Sequence, residues 1–174
     1  MKKNIIVYGL ISGLIVSALM AINLSMVNKS GDFENSIFIG YASMIIAFSL
    51  IFVGIKNYRD KYNGGVISFG KAFKVGFLIT LIASTIYVIV WLMEEHFFFP
   101  DFMEKYTAHE INKLQSSGLS ATELARQTNE LQQAKEMYNN PGLKILMTYA
   151  EILPVGLIVT LISSLILKRK TAKN

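Results

Sequence analysis

Glu151 is the residue with the most chemical potential, because it is the one acid within an apolar run long enough to cross a bilayer. A carboxylate at that depth is costly unless it is protonated, paired or hydrated. Pro154 removes a backbone donor three residues later, which predicts a bend beside the acid. The other apolar runs offer hydrogen-bonding side chains at comparable depth, namely Asn23, Ser43, Ser84 and Tyr87.

Two interpretations of this intramembrane polar site remain open. In the first, Glu151 binds a cation or a proton and the bend at Pro154 lets the helices change shape. In the second, Glu151 is neutral and hydrogen-bonded, and it fixes the register of its helix. The second interpretation is favoured, because one acid without a basic partner or a second acid makes a poor relay.

Two histidines, His96 and His109, lie close in sequence to Glu94, Glu95 and Glu110. Imidazole and carboxylate groups are common metal ligands, but this spacing matches no known ligand pattern. We therefore expect solvated side chains here, with no metal site and no cofactor. The chain has no cysteine that could act as a nucleophile, and with only two histidines no Ser-His-Asp triad can be identified. No catalytic residue is predicted, and we expect that the protein is not an enzyme.

The stretch from Gly65 to Ala72 resembles a phosphate-binding loop up to its lysine. Ala72 has no hydroxyl group for magnesium, and an apolar helix precedes the stretch where a strand is required. The stretch predicts instead a return to the membrane surface, with its apolar side chains, Val66, Ile67, Phe69 and Phe73, facing lipid. Basic residues of this loop would meet anionic headgroups, namely Lys56, Arg59, Lys61, Lys71 and Lys74.

Composition identifies the elements that must position these groups. The chain has 174 residues, of which 52% are hydrophobic and 17% charged, and this is too apolar for a soluble domain. Crossing hydrocarbon takes about 20 mainly apolar residues in a helix. Four segments meet this requirement, at about 5–27, 37–55, 75–93 and 143–167. We expect an all-α fold, a single membrane domain over residues 1–174 that forms a four-helix bundle with an extramembrane helical hairpin.

Lysine and arginine resist translocation, so their distribution predicts the orientation of the spans. Three basic clusters fall on one side: residues 2–3, the loop between spans two and three, and the end of the chain with Lys168, Arg169, Lys170 and Lys173. This predicts both termini in the cytoplasm and residues 94–140 on the outer side. The expected location is the cytoplasmic membrane of a bacterium.

Small residues recur four apart in every span, for example Gly9 and Gly13 in the first and Gly156, Thr160 and Ser164 in the fourth. Small side chains let helix backbones approach closely in lipid. We interpret these stripes as packing seams.

Residues 94–140 are polar and predict a helical hairpin. Pro100 and Asp101 suit a helix start, and Ser117-Gly118 suits a break. Ser120 and Glu123 then have the spacing of a capping box, and Pro141-Gly142 ends the second helix. Near the beginning of the hairpin lie aromatic side chains that suit the membrane interface, namely Trp91, Phe97, Phe98, Phe99 and Phe102.

Several stretches together resemble a known family. They include Gly40-Tyr41-Ala42-Ser43-Met44, Tyr58-Arg59-Asp60, Ser68-Phe69-Gly70-Lys71-Ala72-Phe73 and Glu151-Ile152-Leu153-Pro154. They are similar to small bacterial membrane proteins classified as domain of unknown function 4199. The resemblance extends over nearly the whole chain and implies a bacterial membrane protein with several spans. It implies no active site.

The sequence leaves two main functions. The first is a non-enzymatic scaffold, sensor or accessory protein whose outer hairpin contacts a partner. The second is a small transporter or channel component that uses Glu151, and it would need an oligomer because four helices leave little room for a pathway. Expected partners are the lipid bilayer with its anionic headgroups and another membrane protein or a second copy. No nucleic acid is expected, because the cations lie beside apolar runs.

Overall fold

A computed structural model describes residues 1–170 of the protein. Six α-helices follow one another in this part of the chain: α1 (Lys2–Ser30), α2 (Phe33–Asn57), α3 (Phe69–Phe97), α4 (Phe102–Ser116), α5 (Ala121–Tyr138) and α6 (Pro141–Leu167). A π-helical turn at Tyr58–Tyr62 extends α2. Among the described residues the only β-type pairing is one isolated bridge. The all-α fold predicted from the sequence is confirmed.

The chain divides into two compact units. The bundle unit comprises residues 1–90 together with residues 149–170. The hairpin unit is Trp91–Thr148, which contains the segment 94–140 expected to form a hairpin. The single domain expected from the sequence thus consists of two compact parts, and α3 and α6 each contribute to both.

Four helices are long and apolar enough to cross a membrane: α1, α2 with its π-helical turn, α3 and α6. They correspond to the four predicted spans, and each is longer than its prediction. Hydropathy marks only the part that suits hydrocarbon, whereas the hydrogen-bonded helix continues into flanking polar residues such as Lys2, Glu34 and Glu94. The span that contains Pro154 is a continuous helix, so the bend at this residue stays a prediction.

In the bundle unit α2 and α3 each contact both α1 and α6. The Ser12 hydroxyl of α1 donates to the Ala47 carbonyl of α2 at 2.8 Å. A Cβ added at Gly9 would lie 2.8 Å from Ile82 of α3, which shows how closely α1 and α3 approach. Added at Gly76 of α3, it would lie 2.7 Å from Thr160 of α6.

The predicted packing seams are therefore confirmed at these contacts. Thr80 of α3 and Thr160 of α6 share a hydrogen bond of 3.0 Å, and the Thr80 hydroxyl is also 3.3 Å from the Gly156 carbonyl. All three residues are buried. Small residues here bring two backbones together and leave room for polar contacts between helices.

The hairpin unit contains α4, α5 and the adjoining ends of α3 and α6. The predicted helix starts are confirmed: Asp101 is the N-cap of α4, and the Ser120 hydroxyl accepts from the Glu123 amide at 3.3 Å at the start of α5. Of the predicted capping box this is one half, because the Glu123 carboxylate pairs with Arg126. Gly118 has φ of 71° between the two helices, a conformation that glycine adopts without steric cost.

Candidate functional site

The predicted intramembrane polar residues divide into two groups. Asn23, Ser43, Ser84 and Tyr87 are all buried in the bundle unit. The Asn23 amide donates to the backbone carbonyl and the hydroxyl of Ser36, both at 3.0 Å, so it joins α1 to α2. The Asn23 carbonyl oxygen and the Ser84 hydroxyl are buried without a hydrogen bond. All four predicted side chains therefore lie in the interior of the bundle unit.

Glu151 and Pro154 form the second group, because both are exposed on the surface of the bundle unit. The residue that α6 buries beside the acid is its apolar neighbour Ile152, which is fully covered. No hydrogen bond or ion pair reaches the Glu151 carboxylate from any residue between 1 and 170. The structure thus places Glu151 on the outward face of α6 and does not join it to the four buried residues proposed as its partners.

One end of the bundle unit carries residues 56–74, which are the end of α2, the first turns of α3 and the loop between them, together with residues 168–170, and we name it the basic end. Arg59 contacts protein here: its guanidinium binds Asp60, with Nε 2.6 Å from Oδ1, and Nη1 donates to the Leu167 carbonyl at 3.3 Å. Arg59 therefore caps the last turn of α6. The other predicted surface cations are exposed, namely Lys56, Lys61, Lys71 and Lys74.

Lys71 is exposed but held in place. Its Nζ donates to Asn63 Oδ1 at 2.6 Å and lies 5.6 Å from the centre of the Tyr58 ring. A lysine fixed in this way presents its charge at a defined position, whereas a free surface lysine samples many.

The expectation that Ile67 faces lipid is wrong. Ile67 is 1% exposed, and its backbone pairs with Arg169 through two hydrogen bonds of 3.0 and 2.8 Å. Gly64 and Gly65, with φ of 63° and 76°, turn the chain back so that this pairing forms. Phe69 remains exposed, in agreement with the expectation for that residue. At the basic end, backbone pairing thus joins the loop between α2 and α3 to residue 169, just after α6. Lys173 lies outside the described residues.

A cluster that the sequence did not predict organises the hairpin unit. Trp91 Nε1 donates to the Tyr138 hydroxyl at 2.7 Å, and the Lys144 ammonium lies 4.8 Å from the centre of the Tyr138 ring. Lys144 also pairs with Glu95 at 2.7 Å, where both side chains are only about one-seventh exposed. We name these four residues the polar clasp. The clasp connects the end of α3, the end of α5 and the first turn of α6.

The clasp also corrects the prediction for Trp91. This side chain is 7% exposed and packs edge-on against Phe102 at 5.1 Å, so it does not project toward an interface. Phe97 and Phe98 do project, with exposures of 68% and 72%. The spacing of aromatic residues in the sequence could not separate these roles, because all of them lie between residues 91 and 102, where α3 ends and α4 begins.

The histidines and carboxylates considered from the sequence as metal ligands do not converge. Glu95 is paired with Lys144, and His96 packs edge-on against Phe97 at 4.7 Å. In the part of the chain that the structure describes, no three histidine, aspartate or glutamate side chains lie close enough to hold a metal ion.

Comparison with known proteins identifies one family. No match was found among curated proteins or among solved structures. The family described as "Protein of unknown function (DUF4199)" matches residues 7–169, which include α2, α3, α6, the hairpin unit, most of α1 and nearly all of the basic end. The chain therefore belongs to the DUF4199 family of proteins of unknown function.

Proposed function

We propose that this membrane protein is a non-enzymatic scaffold, sensor or accessory protein of the bacterial cytoplasmic membrane, and that it binds a partner through α4 and α5 on the outer side. The observation that carries the proposal is the hairpin unit itself. It is a compact part of the chain with its own stabilising cluster, the polar clasp.

The helices of the hairpin bury little of their own surface. Thr107 is the buried residue of α4, and Tyr138 is the buried residue of α5. The rest of both helices is exposed or half-exposed, and includes charged groups as well as the apolar Met137 of α5. Leu119, in the connection between the two helices, is also exposed. The clasp holds the end of α5, and Phe102 of α4 packs on its Trp91. Two helices held in this way, with most of their surface uncovered, are suited to contact another protein.

Charge supports an outer position for this unit. Residues 94–140 contain eight acidic residues and four lysines or arginines, a net charge of −4. The basic end has the opposite character, with exposed Lys56, Lys61, Lys71 and Lys74. By the rule that basic loops stay inside, the basic end belongs in the cytoplasm, where it would rest on anionic headgroups.

Site-specific photo-crosslinking in native membranes tests the partner. A photoreactive amino acid at exposed positions of α5, Asn129 or Gln132, should give crosslinked products of defined mass. The same group at Leu14, exposed on α1, is the matched control and should give none of these products. Products shared by all three positions, or no product from α5, would contradict the proposal.

Lipid binding by the basic end is tested separately, by lipid co-purification. Replacing Lys71 and Lys74 with glutamine should lower the amount of anionic lipid that co-purifies with the protein. Replacing Lys105 and Lys113 of α4 removes the same charge from the hairpin and should leave lipid content unchanged. Equal lipid content in both variants would argue against headgroup binding.

The alternative, a small transporter or channel component that uses Glu151, has less support. Glu151 lies on the outward face of α6, so a pathway through one bundle would not pass its carboxylate. Such a pathway would have to run between copies. Flux in vesicles that depends on Glu151 would favour this alternative.

A further inference from the structure

The outward face of α6 combines an acid with apolar residues. Glu151, Pro154 and Ile158 are all exposed on the bundle unit. Because α6 is long and apolar enough to span a membrane, this face would meet hydrocarbon if nothing else covered it. A carboxyl group is poorly solvated by hydrocarbon, whether it is ionised or neutral, unless it has a hydrogen-bond donor. The described chain supplies Glu151 with none.

A donor of suitable chemistry is exposed on the neighbouring helix. Tyr41 of α2 is 45% exposed, and its hydroxyl makes no hydrogen bond to any residue between 1 and 170. A phenol is apolar enough to lie within a membrane and can donate one hydrogen bond to a carboxyl group.

Tyr41 and Glu151 lie at nearly the same level along the bundle. A Cβ added at Gly156 of α6 would be 3.1 Å from the outer atoms of the Phe48 ring of α2, so these two positions lie at similar levels. Tyr41 precedes Phe48 by seven residues, and Glu151 precedes Gly156 by five. At about 1.5 Å of rise per residue, the two backbones differ in level by about 3 Å. A tyrosine side chain readily covers that difference.

We propose that a second copy of this chain covers the face formed by α2 and α6, with Glu151 of each copy accepting a hydrogen bond from the partner's Tyr41. A two-fold axis along the membrane normal keeps levels unchanged, so a donor and an acceptor that are level in one copy stay level across the interface. One rotation forms both hydrogen bonds. The dimer thereby satisfies both exposed carboxyl groups without any further partner.

The apolar residues around this pair complete the contact. Ile45 of α2 and Ile158 of α6 are 57% and 59% exposed and lie one and two turns beyond Tyr41 and Glu151, respectively. In lipid, helices associate through close packing and polar contacts between them, and this face offers both.

Cysteine crosslinking in native membranes tests the geometry, and the absence of native cysteine leaves no background. Copies that carry Ile45→Cys are co-expressed with copies that carry Ile158→Cys and treated with a short bifunctional thiol reagent. A mixed dimer should form. The control pairs Ile45→Cys with Leu14→Cys, which is equally exposed on α1 and should crosslink weakly. Equal crosslinking of both pairs would overturn the proposal.

Energy transfer between labelled copies in vesicles, measured over a range of protein-to-lipid ratios, tests the hydrogen bond. Tyr41→Phe and Glu151→Leu should each raise the dissociation constant of the dimer by about threefold to tenfold. Glu151→Gln keeps an acceptor and should stay close to the original protein. Tyr41→Phe should add little in the Glu151→Leu background, because the bond is already lost.

Two results would contradict the proposal. The first is a protein that stays monomeric at every protein-to-lipid ratio. The second is a dimer that Glu151→Leu strengthens, as expected if this residue faces lipid and gains by becoming apolar. The photo-crosslinking test of α5 is unaffected by either result, so this inference and the proposed function fail independently.

Discussion

At the scale of single residues, the contact between Gly156 and Thr80 is the tightest constraint in the bundle unit. A Cβ at Gly156 would overlap the methyl group of Thr80 and approach the Phe48 ring at 3.1 Å. Thr80 belongs to α3 and Phe48 to α2, and each of these helices also contacts α1. The glycine is therefore required by the closeness of three helices.

Replacing Gly156 with alanine should destabilise the protein by about 1 to 3 kcal/mol, because an added methyl group in a filled site forces its neighbours apart. Thermal unfolding in detergent micelles would measure the loss. Gly70 is the matched control: it also lies in a helix, but a Cβ there meets nothing within 4 Å. Gly70→Ala should be neutral or slightly stabilising. Equal effects of the two variants would show that Gly156 is not packed as described.

The direction of Glu151 shows what a sequence pattern can and cannot reveal. α6 is apolar on all sides, so hydropathy identifies the span without indicating its inward face. The stripe of Gly156, Thr160 and Ser164 does indicate that face, and all three residues are buried. Glu151 precedes Gly156 by five residues, which is about 140° around a helix. Its outward direction could have been inferred from the stripe, whereas its pairing with the buried polar residues rested on depth alone.

At the scale of helices and their connections, local sequence signals were sufficient to predict where the helices of the hairpin begin and break. The N-cap at Asp101, the glycine at position 118 and the capping pair of Ser120 and Glu123 each depend on residues a few positions apart. The polar clasp depends on residues far apart in sequence: Trp91 and Tyr138 are separated by 47 residues, and Glu95 and Lys144 by 49. Such pairs follow from how the helices pack, and the spacing of residues in the sequence does not predict them.

The ion pair in the clasp gives a prediction for the hairpin unit. Lys144→Met should destabilise this unit by about 1 to 3 kcal/mol, because it leaves the mostly buried Glu95 without its partner. Trp91 is the only tryptophan of the protein and lies in the clasp, so urea titration followed by its fluorescence reports on this unit. The double variant with Glu95→Gln removes the unpaired charge and should recover part of the loss. A double variant as unstable as Lys144→Met would show that the charge is not the cause.

The start of α5 gives a prediction about pH. Hydrogen bonds from Arg126 and Gln127 lower the pKa of Glu123 to about 2. Because the pKa is lower in the folded helix than in the unfolded chain, the ionised carboxylate stabilises the helix at neutral pH. That contribution is present above the unfolded value of about 4.3 and disappears as the pH falls through about 2.

Carbon-13 NMR of the Glu123 carboxyl group in the full-length protein would measure this titration. Arg126→Gln removes the largest cause of the shift and should return the pKa toward about 4.3. An unchanged low pKa in that variant would mean that the surrounding helix lowers it.

At the scale of the whole molecule, the distribution of charge should decide the topology. Residues 94–140 are acidic and the basic end is rich in lysine and arginine, and lysine and arginine near short loops set the orientation of a membrane protein. Because the protein lacks cysteine, a single introduced cysteine reports the side on which it lies. Asn129→Cys on α5 and Lys61→Cys at the basic end are suitable, since both positions are exposed.

A maleimide that cannot cross membranes should label Asn129→Cys in intact bacterial cells and should label Lys61→Cys only after the cells are opened. Lys61→Cys removes one of several positive charges at the basic end, so the orientation should persist. Replacing Lys56, Lys71 and Lys74 together with glutamine should weaken this preference and produce a fraction of molecules with both labelling patterns reversed. Labelling of Lys61→Cys in intact cells that carry no other change would reverse the proposed topology, and it would place the acidic hairpin, with any partner it binds, in the cytoplasm.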